Sequence, residues 1–215
     1  MKNIYFFSGL GADERVFQYV DLSFCYPIFI KWNLPFENES IEDYAARLLV
    51  QIKDEHPILV GVSFGGMMAV EVAKLIQTEK VILISSAKTK HEIPNYYQWI
   101  GKVNAHKLLP TSILQYFNSI NNYIFGVQAK EEKLLLKEII KDTNPAFLKW
   151  AIDKIIHWQN EFIPKNLIHI HGSNDKILPV KFTNYDILVE NGGHFMIVQD
   201  SLKIGKLIKV NFINS

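Results

Sequence analysis

The chain has 215 residues, 48% of them hydrophobic and 21% charged, the make-up of one large globular domain. Its 23 basic and 22 acidic residues leave a net charge of +1 with no lysine-rich face, so nothing implies a nucleic-acid partner. The single Cys25 excludes an intrachain disulfide, no stretch approaches the ~18 apolar residues that span a bilayer, and only four apolar residues precede Ser8, so no secretory core forms; the default reading is a cytoplasmic protein off the membrane.

In chain order, Asn3 to Phe7 reads as a short buried strand that stops at SGLG, followed by a helical piece from Glu14 to Val20. Cys25 to Trp32 is the next strand, and its Pro27 suits an edge. Ile41 to Lys53 carries Ile41, Tyr44, Ala45, Leu48, Leu49 and Ile52 at the spacing of one helix face. Ser40 is its expected N-cap, with Asp43 three residues on. Strand Pro57 to Val62, helix Gly66 to Gln77 and strand Lys80 to Ala87 follow; Asn166 to Gly172 and Tyr185 to Gly192 are strands, and Leu202 to Val210 is a closing helix. The alternation predicts an α/β protein with a mainly parallel sheet of about six strands flanked by helices.

Residues 88–164 break that alternation. They are helix-like, rich in large rings and include an amphipathic run from Lys130 to Lys141. The expectation is a core of 1–87 and 165–215, with 88–164 inserted after the fourth strand as a helical cap over one end of the sheet. Most of the rings are expected to pack the insertion itself.

Between strand and helix stands GVSFGG, a G-x-S-x-G motif. A serine hydroxyl attacks a carbonyl only if it stands clear of its own backbone, and a sharp strand-to-helix turn lifts Ser63 there. Side chains at Gly61 and Gly65 would collide across that turn. Serine also needs a base. Of seven histidines, His194 in NGGHF lies on a loop past the last strand, whereas His56 precedes a strand and His91, His106 and His157 lie in the insertion. Asp175, in HGSNDKILP, follows the preceding strand and can orient that base, or it is only a turn residue; Asp186 and Glu190 are rivals. His169 and His171 form an H-x-H pair without further ligands, so no metal is expected and His171 reads as a support for the loop it begins. The backbone N–H of Phe64 and that of Leu10, in SGLG, are the candidate oxyanion donors, unless SGLG is only a turn.

Together SGLGADERVF, GVSFGG, HGSNDKILP and NGGHF resemble the α/β-hydrolase superfamily. The resemblance implies a serine esterase-type fold with Ser63, Asp175 and His194 as triad. It departs in starting at the strand that bears the oxyanion loop and in having Ser8 where many members have histidine; Ser63 in place of an aspartate nucleophile argues against the dehalogenase and epoxide-hydrolase branches. The leading expectation is hydrolysis of a carboxylic ester or thioester of a small molecule, without cofactor, in a pocket lined by Trp99, Tyr116, Phe117 and Trp150. Acyl transfer, carbon–carbon hydrolysis and lyase chemistry reuse the same parts, and a ligand sensor on a hydrolase scaffold is the reading from another class.

Overall fold

The computed structural model describes residues 1–102 and 118–213. Six strands form one sheet: β1 (Asn3–Phe7), β2 (Tyr26–Phe29), β3 (Ile58–Val62), β4 (Lys80–Ile84), β5 (Leu167–Gly172) and β6 (Ile187–Val189). Their order is β2-β1-β3-β4-β5-β6, and every neighbouring pair is parallel. Side chains alternate across the sheet. Ile4, Phe6, Ile58, Val60 and Ile82 enter one core, while Tyr5, Phe7, Leu59, Val81 and Leu83 enter the other. With both faces covered, the strands read as continuous apolar runs.

The first core is closed by a 3-10 turn at Glu14–Phe17 and by the last helices, while the second is closed by α1 (Ile41–Leu48) and α2 (Phe64–Leu75). The expected helix to Val20 is only this turn: Val20 is buried with Val16 and Phe17, but its N–H bonds three residues back to Phe17 O at 2.9 Å, so the segment stays in tight 3-10 turns. Ser40 caps α1 as its position predicts: Oγ accepts from the Asp43 N–H at 3.0 Å. β2 is an edge strand, where Pro27 is tolerated.

Between β4 and β5 lies the helical insertion: α3 (Asn95–Lys102), α4 (Asn118–Phe125), α5 (Lys130–Asp142) and α6 (Pro145–Ile156). Leu135, Leu136 and Ile139 of α5 join the first core, and Phe147 and Ala151 of α6 join the second. Asn144 caps α6 through the N–H groups of Ala146 and Phe147, with Pro145 in the first turn. The chain closes with α7 (Met196–Gln199) and α8 (Ser201–Ile213). No helix among the described residues is long and apolar enough to cross a membrane. Because the chain passes from β1 outward to β2 and returns on the other side as β3, the loops after β1 and β3 diverge. That divergence is where parallel α/β sheets hold ligands.

Candidate active site

β3 ends at Val62 and α2 begins at Phe64, so Ser63 makes the turn alone. Its φ of 54° and ψ of −122° are strained for a residue with a side chain, at a cost on the order of 1–3 kcal/mol. The surroundings hold it there. The Ser63 N–H donates to Ile84 O at 3.0 Å, and Ser86 Oγ donates to Ser63 O at 2.6 Å. A Cβ at Gly65 would stand 2.2 Å from Ser8 O, and one at Gly61 would stand 2.4 Å from Gly65 O. Those glycines let α2 start directly against the end of β1.

The loops after β5 and β6 are laced together. Asn174 N–H donates to Gly192 O at 2.9 Å, and Asn191 N–H donates to Ser173 Oγ at 2.8 Å. This brings three distant residues into line: Ser63 Oγ lies 2.8 Å from His194 Nε2, and His194 Nδ1 lies 2.8 Å from Asp175 Oδ2. Asp175 and His194 are both buried. A carboxylate only accepts, so Nδ1 carries the ring hydrogen and Nε2 faces the serine with a lone pair. The other carboxylate oxygen of Asp175 accepts from the Ile177 and Leu178 N–H groups at 2.9 Å each. Burial alone would push the Asp175 carboxyl up, but His194 and the Leu178 amide outweigh it and hold it below the usual range.

Behind Asp175 lies the H-x-H pair. His171 Nε2 is 2.8 Å from Leu178 O and therefore donates, and its Nδ1 accepts from His169 Nε2 at 3.2 Å. Burial depresses both rings, His169 to about 3. His171 braces the Asp175 loop, as its place at the end of β5 suggests. The rival carboxylates lie elsewhere: Asp186 accepts from the His169 N–H at 2.7 Å, and Glu190 is exposed. Among the described residues no group of three or more His, Cys, Asp or Glu is placed to hold a metal.

After β1 the chain turns at Gly9 to Ala12, closed by Ala12 N–H to Gly9 O at 3.0 Å. Ser8 Oγ donates to Ala12 O at 2.7 Å and accepts from Trp32 Nε1 at 2.9 Å, so it ties the turn to the core. Among the described residues no protein acceptor takes the N–H of Leu10 or of Phe64.

Above Ser63 is a chamber of about 240 Å³. Leu10, Phe125, Leu136, Ile139, Ile152 and Ile177 are among its walls, and among the described residues none that lines it is charged. The expected aromatic lining is a different matter. Trp99 is 65% exposed, and Trp150 packs 4.4 Å from the Tyr44 ring while its Nε1 donates to Glu39 O at 2.9 Å. Neither is among the lining residues, because these rings face solvent or anchor the insertion on α1. Tyr116 and Phe117 lie outside the described residues. The lining that the sequence reading did not name is aliphatic: Leu136, Ile139 and Ile140 sit on one face of the amphipathic α5. That spacing signals a buried face without saying what lies opposite.

No protein-family model matches the sequence, and no curated protein matches it either. Solved structures match along the whole chain. An esterase from Exiguobacterium antarcticum superposes with a TM-score of 0.71 at 16% identity, covering 100% of this chain and 92% of its own. A thermophilic esterase from Thermogutta terrifontis gives 0.70 at 12%, covering 100% and 90%. An enol-lactonase from Burkholderia xenovorans LB400 gives 0.71 at 14%, covering 100% and 92%. The fold is that of the α/β-hydrolases. Identities this low carry an α/β-hydrolase fold and leave the reaction to the site itself.

Proposed function

We propose that the protein is a serine hydrolase that cleaves a carboxylic ester or thioester of a small molecule through an acyl-enzyme. The observation that carries this reading is the unbroken run Ser63–His194–Asp175, two contacts of 2.8 Å each, at the floor of an apolar chamber. His194 Nε2 takes the Ser63 proton as Oγ attacks the carbonyl carbon, and Asp175 stabilises the imidazolium that forms. The carbonyl oxygen, now negative, is met by the unpaired N–H groups of Leu10 and Phe64. Each such donor contributes about 2.7–4 kcal/mol in the transition state. His194 returns the proton to the departing alcohol or thiol, and water repeats the cycle on the acyl-enzyme.

The insertion serves as a cap in this reading. Its helices α5 and α6 supply about half of the chamber's aliphatic wall, and among the described residues none that lines it carries a fixed charge, so the group bound there is uncharged and aliphatic. A chamber of about 240 Å³ is small for a ligand site, which favours short to medium chains.

The test is turnover of p-nitrophenyl esters from acetyl to decanoyl by the wild type and by Ser63→Ala. The expectation is measurable turnover that peaks below the longest chains and falls at least ~10³-fold in the variant. Equal rates in the two proteins, or no turnover at any length by a folded wild type, would overturn the proposal.

A further inference from the structure

The turn that carries Leu10 has an internal tie, a core-side tie through Ser8 and Trp32, and a third tie that comes from the insertion. Thr143 is buried between α5 and α6, and its Oγ1 lies 2.7 Å from Gly11 O, the carbonyl one residue beyond Leu10. The same hydroxyl lies 2.8 Å from Ile139 O, one turn back on α5, but that carbonyl already accepts the Thr143 N–H at 3.1 Å. The hydroxyl has one hydrogen to donate, and of its two acceptors Gly11 O is the nearer and the one without another bond from Thr143, so it depends most on the hydroxyl. The fit is close as well. Gly11 has φ of 65°, and a Cβ there would stand 2.4 Å from both Oγ1 and Cγ2 of Thr143. One residue before Thr143, Asp142 pairs with Arg15 at 2.9 Å, so the α5–α6 turn grips the segment from Gly11 to Arg15 at two points.

We infer that Thr143 is a positioning residue that aims the Leu10 N–H. This rests on the ester-hydrolysis reading, in which that N–H receives the developing oxyanion. The Leu10 N–H shares a peptide group with Gly9 O, which accepts the turn's closing bond from the Ala12 N–H, and that N–H shares a peptide group with Gly11 O. The Thr143 bond to Gly11 O therefore holds, from outside, the peptide whose closing bond sets the direction of the Leu10 N–H. Gly11 is followed directly by Ala12, whose own carbonyl is held by Ser8, so the turn is clamped on its two opposite sides. An oxyanion donor acts only if it already points at the charge when the charge appears. The insertion thereby contributes a wall to the chamber and part of the electrostatic machinery. The site is complete only with the α5–α6 turn seated on Gly11.

Leu10 and Thr143 both border the chamber, but the Thr143 hydroxyl is spent on a carbonyl of the protein, so the distinguishing signature lies in kcat rather than KM: the bound ester leans on the chamber's side chains and only the transition state leans on the Leu10 N–H. Thr143→Val keeps the shape and removes the hydroxyl; Thr143→Ser keeps the hydroxyl and removes the methyl group. With p-nitrophenyl butyrate as substrate, Thr143→Val should lose about 5- to 50-fold in kcat with KM within about twofold, and Thr143→Ser should recover to within about threefold of wild type. Thermal melting of both variants accompanies the kinetics. Three results would overturn the inference: an unchanged kcat in a folded Thr143→Val, an equal loss in both variants, or a loss carried by KM. If Thr143→Val does not fold, Thr143→Ala, which also lacks the hydroxyl, takes its place under the same expected and overturning results. A wild type that turns over the ester with Ser63 required, while the Thr143 variants behave normally, sinks this inference and spares the hydrolase reading. A folded wild type without turnover sinks both.

Discussion

Replacing Asp175 by asparagine changes one atom and should nearly silence the site. The oxygen at the Oδ1 position is fixed as an acceptor by two N–H groups, Ile177 and Leu178, each at 2.9 Å. The asparagine oxygen must therefore take that place, and its NH₂ lands where Oδ2 stands 2.8 Å from His194 Nδ1. Two donors cannot face each other there, so His194 shifts its hydrogen to Nε2. That nitrogen lies 2.8 Å from Ser63 Oγ and can then no longer accept the serine proton. A wrong tautomer of this kind costs about 10⁴ in kcat, or about 5 kcal/mol in the barrier. The fold keeps both amide contacts, so the melting midpoint should fall by less than about 10 °C. Ester turnover and a thermal melt on Asp175→Asn measure both quantities. A rate within tenfold of wild type would show that Asp175 does not set the tautomer of His194.

Gly65→Ala should be severely destabilising, by more than about 3 kcal/mol, because its Cβ would stand 2.2 and 2.3 Å from the carbonyl oxygens of Ser8 and Phe7, which are backbone atoms that cannot swing away. Urea unfolding reads this directly, and a near-native midpoint would mean that α2 packs less tightly on β1 than described. Acid should weaken the fold through His169, whose ring is pushed down to about 3 by burial, by His171 and by Lys88. Between pH 6.5 and 3 the unfolded chain binds a proton there that the folded chain refuses, so stability drops as pH falls, by up to about 1.4 kcal/mol per unit. Unfolding curves at pH 7, 5.5 and 4.5 should show this limb flattened in His169→Gln; an identical slope in both proteins would remove His169 as its cause.

Much of this arrangement was legible in the sequence because it is local. A strand buried on both faces announces itself as a run such as Ile58 to Val62, and each loop residue with chemistry follows a strand within a few residues: Ser63 after β3, Asp175 after β5 and His194 after β6. Periodicity puts the start of α2 at Gly66, two residues beyond its actual start at Phe64, since it registers apolar faces and not the single strained residue that opens a helix. The chamber was less accessible. Large rings attract notice as pocket walls, yet Trp150 has an N–H to satisfy and finds its acceptor at Glu39 O, just before α1. Aliphatic residues with no such demand can line an empty space, and Leu136, Ile139 and Ile152 do so. Thr143 carried no signal at all. Its partner is 132 positions away at Gly11, and a threonine between two helices looks like any other helix end.

The most direct measurement is the mass of the protein after treatment with a fluorophosphonate, followed by mapping of the modified peptide. Activation of Ser63 by His194 requires one adduct per chain, on Ser63, and labelling slowed by orders of magnitude in His194→Gln. A folded protein that takes up no label, or takes it up on a residue other than Ser63, would contradict nucleophilic catalysis and leave a ligand-binding role for the chamber.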